Sequence, residues 1–116
     1  MTLTEKQKKY ISDALEYNAG TQTLDQVIAG LESGQFQLWS SENAAAITEL
    51  ARFPNKTVVN IALGGGELTE IQQIVRDIEA AAKSSGLTTV SIIGRRGWGR
   101  TLPGYREQAT VYMKEL

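Results

Sequence analysis

The chain has 116 residues, of which 41% are hydrophobic and 22% charged, and its formal net charge is -1. This composition is typical of one globular domain, 1–116, and its charge argues against nucleic-acid binding, which needs an excess of cations. The chain contains neither cysteine nor histidine, which excludes thiolate nucleophiles, Ser-His-Asp hydrolases and zinc hydrolases, so we expect no metal site. No apolar run approaches the roughly 20 residues that span a bilayer, and the N-terminus is too polar for a secretory signal. We therefore expect a cytoplasmic protein with no membrane partner.

Two capping-box patterns mark helix starts in the first part of the chain. Thr4 with Gln7 predicts a helix that reaches about position 17, with apolar residues at helical spacing. Thr23 with Gln26 predicts a second, shorter helix that ends at Gly34, where glycine favours a left-handed cap.

Three strand candidates follow these helices. Positions 36–39 and the β-branched run 57–63 read as strands. Positions 44–52 are ambiguous, because their alanines favour a helix whereas the short turns on either side favour a hairpin; we predict a strand.

The second half of the chain predicts a crossover between parallel strands. A glycine turn, Gly64-Gly65-Gly66, connects the strand 57–63 to an amphipathic helix over 67–85, and a buried strand follows over 88–93. We further predict a short helix over 97–102 and a closing strand over 108–113.

Two neighbouring features of this crossover together resemble an anion site. Backbone amides at the glycine turn would approach a pyrophosphate or pantetheine closely. Arg95 and Arg96 follow the second parallel strand, at the sheet edge where ligands of open α/β sheets bind. In the alternative interpretation the glycines only reverse the chain, and one arginine is solvated while the other pairs with Glu67 or Glu70.

The acid–base candidates are Glu49 and Tyr105. An inward-facing Glu49 would have a raised pKa and act as a base, directly or through a water; a solvent-facing glutamate is the more common case. Tyr105 follows the Pro103-Gly104 turn and would donate a proton to a leaving thiolate, or simply pack. Trp98 fits the core better than a stacking platform.

The order of these elements resembles that of GNAT-type acyl-CoA N-acyltransferases. The last part of the chain strengthens this resemblance through the run Gly94-Arg95-Arg96-Gly97-Trp98, a later Gly-Tyr pair and a terminal Lys-Glu-Leu. Within that superfamily it is most similar to the short GNAT-like proteins of tailed bacteriophages. The resemblance covers roughly residues 24–116. It implies a three-layer α/β (α+β) fold, in which two N-terminal helices, a long central helix and a short C-terminal helix surround a mixed sheet of about five strands.

The same resemblance implies a site between the two parallel strands, which splay apart in that family to admit the pantetheine arm. Its acyl-CoA contacts would be Leu63, Gly64, Gly65 and Gly66 together with Arg95 and Arg96, and its catalytic residues would be Glu49 and Tyr105. The chain departs from the family pattern twice: Glu67 follows the glycines with no cation before them, and Arg100 replaces the tyrosine often used as general acid.

Two functions follow from these expectations. The first is an acyltransferase, active or degenerate, that uses acetyl-CoA and a primary amine and needs placement and backbone polarisation rather than histidine or cysteine. The second is a non-catalytic module of a phage, located in the host cytoplasm or the virion and bound to a phage or host protein. Glu67 and Arg100 favour this second interpretation.

Overall fold

The computed structural model describes residues 2–94 and 97–116. Within these ranges four strands form one sheet of order β1-β2-β3-β4, and no helix is both long and apolar enough to cross a bilayer. The elements are α1 (Glu5–Leu15), α2 (Leu24–Ser33), β1 (Phe36–Ser41), β2 (Ala44–Arg52), β3 (Thr57–Gly66), α3 (Leu68–Ser84), β4 (Val90–Ile92) and α4 (Gly97–Thr101). The predicted mixed α+β fold is confirmed, with four strands instead of about five.

Both predicted capping boxes are present. At α1 the Gln7 amide donates to Thr4 Oγ1 over 3.1 Å, and the Thr4 amide donates to Gln7 Oε1 over 3.0 Å. Thr23 and Gln26 form the same pair of bonds at the start of α2. Each box satisfies amides that a helix start leaves unpaired, and a cap of this kind is worth about 0.5–2 kcal/mol.

The ambiguous segment 44–52 is a strand and lies in the interior of the sheet. It pairs antiparallel with β1 on one side and with β3 on the other. Ala44 and Ala46 are buried under α3, whereas Ala45 is buried on the opposite face against the N-terminal helices. Pairing on both sides and small side chains on both faces outweigh the helix propensity of alanine here.

The sheet separates two apolar cores, which gives the predicted three layers. One core lies between the sheet and α3, whose stripe Ile71, Ile74, Val75, Ile78 and Ala82 is buried as the periodicity predicts. The other core joins α1 and α2 to the opposite face through Ile11, Val27 and Leu63. Each buried aliphatic side chain contributes about 1.5–3 kcal/mol. Leu68, predicted in the α3 stripe, is instead exposed.

The β3–α3–β4 crossover joins parallel strands, as predicted. The pairing is short: Val59 lies opposite Val90, Asn60 opposite Ser91 and Ile61 opposite Ile92. β4 is also shorter than the predicted 88–93 and only half-buried. Since β3 extends five residues beyond the last of these pairs, to Gly66, the two strands part well before β3 ends.

The three glycines form the end of β3 and not a turn, which corrects the sequence-based prediction. Gly64, Gly65 and Gly66 lie opposite Ala46, Ala45 and Ala44 of β2, and Glu67 alone connects β3 to α3. Residues of a strand point alternately to the two faces of the sheet, and this alternation continues from the apolar run through the three glycines.

The predicted strand over 108–113 is wrong. No strand forms there, and every residue from 106 to 116 is exposed. The β propensity of this segment is not sufficient to form a strand, because its side chains do not pack on the sheet.

We predict that Gly65→Ala destabilises the protein whereas Gly64→Ala is tolerated. A Cβ on Gly65 would lie 2.7 Å from the carbonyl oxygen of Tyr10, whereas a Cβ on Gly64 would meet nothing closer than 3.9 Å. Overpacking of this kind costs about 1–3 kcal/mol. Urea unfolding of both variants measures the difference; equal midpoints would contradict the close approach of β3 to α1.

Candidate functional site

A cleft opens where β3 and β4 part. The Val59 amide donates to the Thr89 carbonyl over 3.1 Å, and the strand pairing ends two residues later at Ile61 and Ile92. From that point β3 continues to Gly66, whereas the chain after Ile92 leaves the sheet. The space between the diverging segments is the cleft.

The cleft is small and apolar, and residues from both faces of the sheet border it. Its interior volume is about 60 Å³. Ala14, Tyr17 and Asn18 approach it from the end of α1, and Ile71 and Val75 approach it from α3. The remaining lining residues come from β2, β3, β4, α4 and the segments that follow β4 and α4: Ala46, Ile61, Ala62, Leu63, Gly64, Ile92, Ile93, Gly94, Trp98 and Leu102.

A β-bulge lies at the point where the cleft begins. Ile47 pairs with Leu63 while the adjacent Thr48 pairs with Ile61, so Ala62 is the additional residue on β3. Bulges re-aim side chains and occur next to active sites. Beyond it, β3 has no strand partner on its β4 side among the described residues. Backbone N–H and C=O groups of β3 that face this side therefore have no partner in a strand of the described residues.

The start of α3 is bound to the β1–β2 turn of the same chain. Glu70 Oε1 accepts from Ser41 Oγ over 2.5 Å and from the Asn43 amide over 2.9 Å. The Glu67 amide donates to the Asn43 carbonyl over 2.9 Å. The Ser41 hydroxyl, and after it the Asn43 amide, lowers the pKa of Glu70 because both bonds favour the carboxylate.

Three carboxylates of the described chain, one of them Glu42 of the turn itself, lie around this turn together with one cation. Glu67 and Glu70 occupy the N-cap and the first turn of α3. Lys6 Nζ donates to Asn43 Oδ1 over 3.1 Å, which brings a positive charge from α1 to the same place. Sequence reasoning missed Lys6, because 37 positions separate it from its partner and no local pattern signals the contact.

Glu49 belongs to a series of hydrogen-bonded polar side chains that crosses the sheet, and it does not line the cleft. Asn60 Nδ2 donates to Glu49 Oε1 over 3.3 Å, and Ser91 Oγ donates to Asn60 Oδ1 over 2.9 Å. Asn60 is buried and both of its partners are half-buried. Asn60 and Ser91 directly precede Ile61 and Ile92, the last paired residues of β3 and β4. These hydrogen bonds therefore connect Glu49 to the closed end of the cleft.

Tyr105 is also absent from the lining. Its hydroxyl donates to Glu79 Oε2 over 2.8 Å, on α3, and its ring packs on the core beneath that helix. Burial, followed by the hydrogen bond to the Glu79 carboxylate, raises the pKa of Tyr105 above its ordinary value. The Tyr105 hydroxyl therefore stays protonated and bound to Glu79, whereas a proton donor for the reaction would have to lie in the cleft.

The structure brings only part of the sequence-predicted site together. Leu63 and Gly64 line the cleft, whereas Gly65 packs on the Tyr10 carbonyl and Gly66 on Asn43. Arg95 and Arg96 lie outside the described residues. Trp98, predicted as core, packs on the α3-side core and also lines the cleft.

The arrangement has counterparts among solved structures. An aminoglycoside acetyltransferase from an uncultured soil metagenomic sample, in complex with sisomicin, matches with a TM-score of 0.68 at 11% identity over 96% of this chain and 86% of that one. The fold is GNAT-like. The aminoglycoside 6'-N-acetyltransferase of Acinetobacter haemolyticus matches with a TM-score of 0.59 at 12% identity, covering 98% of this chain and 95% of that one. The TTHA1254 protein of Thermus thermophilus matches with a TM-score of 0.60 at 14% identity, covering 100% of this chain and 95% of that one.

At these identities the likeness concerns the GNAT-like fold alone. No protein-family model matches the sequence, and no curated protein matches it either. Within 2–94 and 97–116 no group of three or more carboxylates is arranged to hold a metal ion.

We predict that Glu70→Ala lowers the melting temperature at neutral pH and that the loss shrinks in acid. A pKa that is lowered on folding contributes stability above the unfolded-state value of ~4.3, and this contribution disappears as pH falls through the folded-state pKa. Thermal melts across this range measure it. Glu42→Ala, an exposed change in the same turn, is the control, and a Glu70→Ala loss that is independent of pH would contradict the role of the carboxylate.

Proposed function

We propose that the protein transfers an acyl group from an acyl-CoA, in the simplest case acetyl-CoA, to a primary amine. The observation that carries this proposal is the early parting of β3 and β4 after Ile61 and Ile92, beside the bulge at Ala62. A GNAT-like fold with an apolar cleft at this place supports an acyl thioester as the ligand. A pantetheine arm suits the small, apolar lining, and its amide groups suit the backbone of β3 that lacks a strand partner.

The fit differs between the two ends of such a ligand. The apolar walls, including Leu63 and Gly64, match the acyl and pantetheine part. The diphosphate end would meet Glu67 and Glu70 at the start of α3, and like charges repel there. Lys6 supplies a cation at that turn, and Arg95 with Arg96 remain the proposed diphosphate contacts from the sequence.

In the proposed reaction the amine nitrogen attacks the thioester carbonyl, so that a C–N bond forms, the C–S bond breaks, the amine loses a proton to water and the thiolate gains one. The backbone amides of β3 would polarise the carbonyl oxygen, a contribution that needs neither histidine nor cysteine.

The proposed catalytic residues take positioning roles in this scheme. Glu49 would act through Asn60 and Ser91 at the closed end of the cleft rather than by direct contact with the amine. Tyr105 would hold α3 in place through Glu79.

Titration with acetyl-CoA, and separately with coenzyme A, tests the proposal by calorimetry and thermal shift. We expect micromolar binding; a ligand at 100 times its Kd stabilises the fold by about 2.7 kcal/mol, which is several degrees in Tm. Absence of heat and of any Tm shift at millimolar ligand would contradict the proposal.

We predict that Ile93→Glu weakens acetyl-CoA binding at least about tenfold, because the bound thioester arm would cover an unpaired carboxylate in the apolar wall. Ile93 is 62% exposed, so the protein should still fold. Phe53→Glu is the matched control, because Phe53 is 60% exposed and lies in the β2–β3 turn, outside the lining. Calorimetry measures the acetyl-CoA affinity of both variants. Equal affinities would contradict binding of the ligand in this cleft.

We predict that Tyr105→Phe destabilises the protein by about 1 kcal/mol, the usual worth of one hydrogen bond, and leaves the acyl-transfer rate within about twofold. Urea unfolding and a thiol-release assay with acetyl-CoA measure the two effects. A rate loss of about a hundredfold or more with unchanged stability would instead make Tyr105 the general acid.

A second candidate function is a non-catalytic GNAT-like module, either a phage virion or assembly component or a protein that binds a host partner. The observation that favours it is the single-residue connection at Glu67, which replaces a phosphate-binding loop with a carboxylate. The same titration separates the two candidates. Failure to bind both acetyl-CoA and coenzyme A, together with co-purification in a capsid or tail fraction, would establish this alternative.

A further inference from the structure

Few side chains in the lining of the cleft carry polar atoms. Among the described residues that line it, these are Tyr17, Asn18 and Trp98. Tyr17 is 62% exposed, and the Trp98 indole packs on the α3-side core and against Gly94. Asn18 is half-buried, and of these three it is the one with a side-chain amide. In an apolar site, a small number of placed polar groups determines how a ligand is oriented.

Asn18 is held at three of its polar atoms by neighbouring residues of the chain. Its backbone amide donates to the Leu15 carbonyl over 3.2 Å, and its carbonyl accepts from the Thr21 amide over 3.1 Å. Its side-chain Oδ1 accepts from Thr21 Oγ1 over 2.5 Å. This last bond determines the orientation of the side-chain amide, whose Nδ2 donates to no group of the described residues. Nδ2 is therefore a donor that the protein itself leaves unused at the cleft.

The turn that holds Asn18 has an unusual backbone. Its two central residues, Ala19 and Gly20, have φ of 55° and 71°, so both are left-handed. Asparagine, aspartate or glycine normally occupies the first central position of such a turn, because a Cβ is disfavoured there. Ala19 is the only residue other than glycine with a positive φ in the part of the chain that the structure describes. The two bonds between Asn18 and Thr21 therefore hold a conformation that alanine by itself disfavours.

We propose that Asn18 is the side-chain donor of the cleft, and that its Nδ2 binds a carbonyl oxygen of the pantetheine arm of an acyl-CoA. This inference rests on the proposed function and adds to it a binding residue from the α1–α2 connection, 16–23. The amide carbonyls of that arm need donors when they are buried in an apolar cleft. β3 offers backbone groups without a strand partner, and Asn18 offers a donor from the α1 side. Ala19 is then a positioning residue, because its backbone directs Asn18 to the cleft.

Removal of the donor tests the contact. We expect Asn18→Ala to weaken acetyl-CoA binding about fivefold, the usual worth of one hydrogen bond. Asn18→Asp retains an oxygen that accepts from Thr21 and lacks Nδ2, so it should weaken binding at least as much. Asn55→Ala, which removes an exposed amide in the β2–β3 turn outside the lining, is the matched control. If calorimetry gives either Asn18 variant the affinity of this control, the inference is overturned and the proposed function stands.

Two substitutions at Ala19 test how the donor is positioned. Glycine adopts a positive φ freely, so Ala19→Gly should bind acetyl-CoA within about twofold of the parent protein. Valine is β-branched and resists this conformation, so Ala19→Val should displace Asn18 and weaken binding about fivefold. Ala19 is exposed, so neither variant alters the packing of the core. Equal affinities of the two variants would contradict the positioning role.

Nuclear magnetic resonance of the isotope-labelled protein observes the donor directly. The signal of the Asn18 side-chain amide, assigned by its absence from Asn18→Ala, should move on titration with acetyl-CoA and with pantetheine, the arm without its nucleotide. If the protein binds neither acetyl-CoA nor coenzyme A while pantetheine moves this signal, Asn18 is retained as the donor and the acyl-CoA function is excluded. A signal that stays in place at saturating acetyl-CoA, or at millimolar pantetheine where acetyl-CoA does not bind, overturns the inference.

Discussion

The parting of two parallel strands is the constraint on which the site depends. Opposite layers hold the two sides of the gap. At the end of β3, Gly65 packs closely on the Tyr10 carbonyl of α1. After β4, the chain turns to the other face, where the Trp98 indole approaches Gly94 so closely that a Cβ there would lie 3.0 Å from it. Each segment is therefore held by a different layer, and the cleft is the space between them.

Local signals made the order of the elements predictable. A capping box involves residues three positions apart, so Thr4 with Gln7 and Thr23 with Gln26 determine helix starts without reference to the rest of the chain. The stripe on α3 is likewise periodic within one helix. Even the parallel relation of β3 and β4 follows, because a helical crossover between neighbouring strands favours it.

The site was less predictable because its positions depend on contacts between distant parts of the chain. Three consecutive glycines indicate a turn by composition, yet pairing with the alanines of β2 extends β3 through them. The bulge at Ala62 follows from the register of two strands and leaves no motif. Lys6 reaches Asn43 across 37 positions, and Tyr105 is directed to Glu79 by the packing of the segment after α4. The helix and strand propensities of individual residues do not specify contacts between such distant positions.

The cleft is lined mainly by apolar side chains, most of them aliphatic, and the GNAT-like fold is shared with solved structures at 11–14% identity. Polarisation by strand amides depends on where the strands part and not on which side chains they carry. The lining of the cleft requires apolar residues, with small ones such as Ala62 and Gly64 at some positions, and many sequences satisfy that condition. Side-chain chemistry is then free to differ at the start of α3, where Glu67 and Glu70 lie. In the proposed function it is therefore the start of α3, rather than the cleft, that opposes a diphosphate through its two carboxylates.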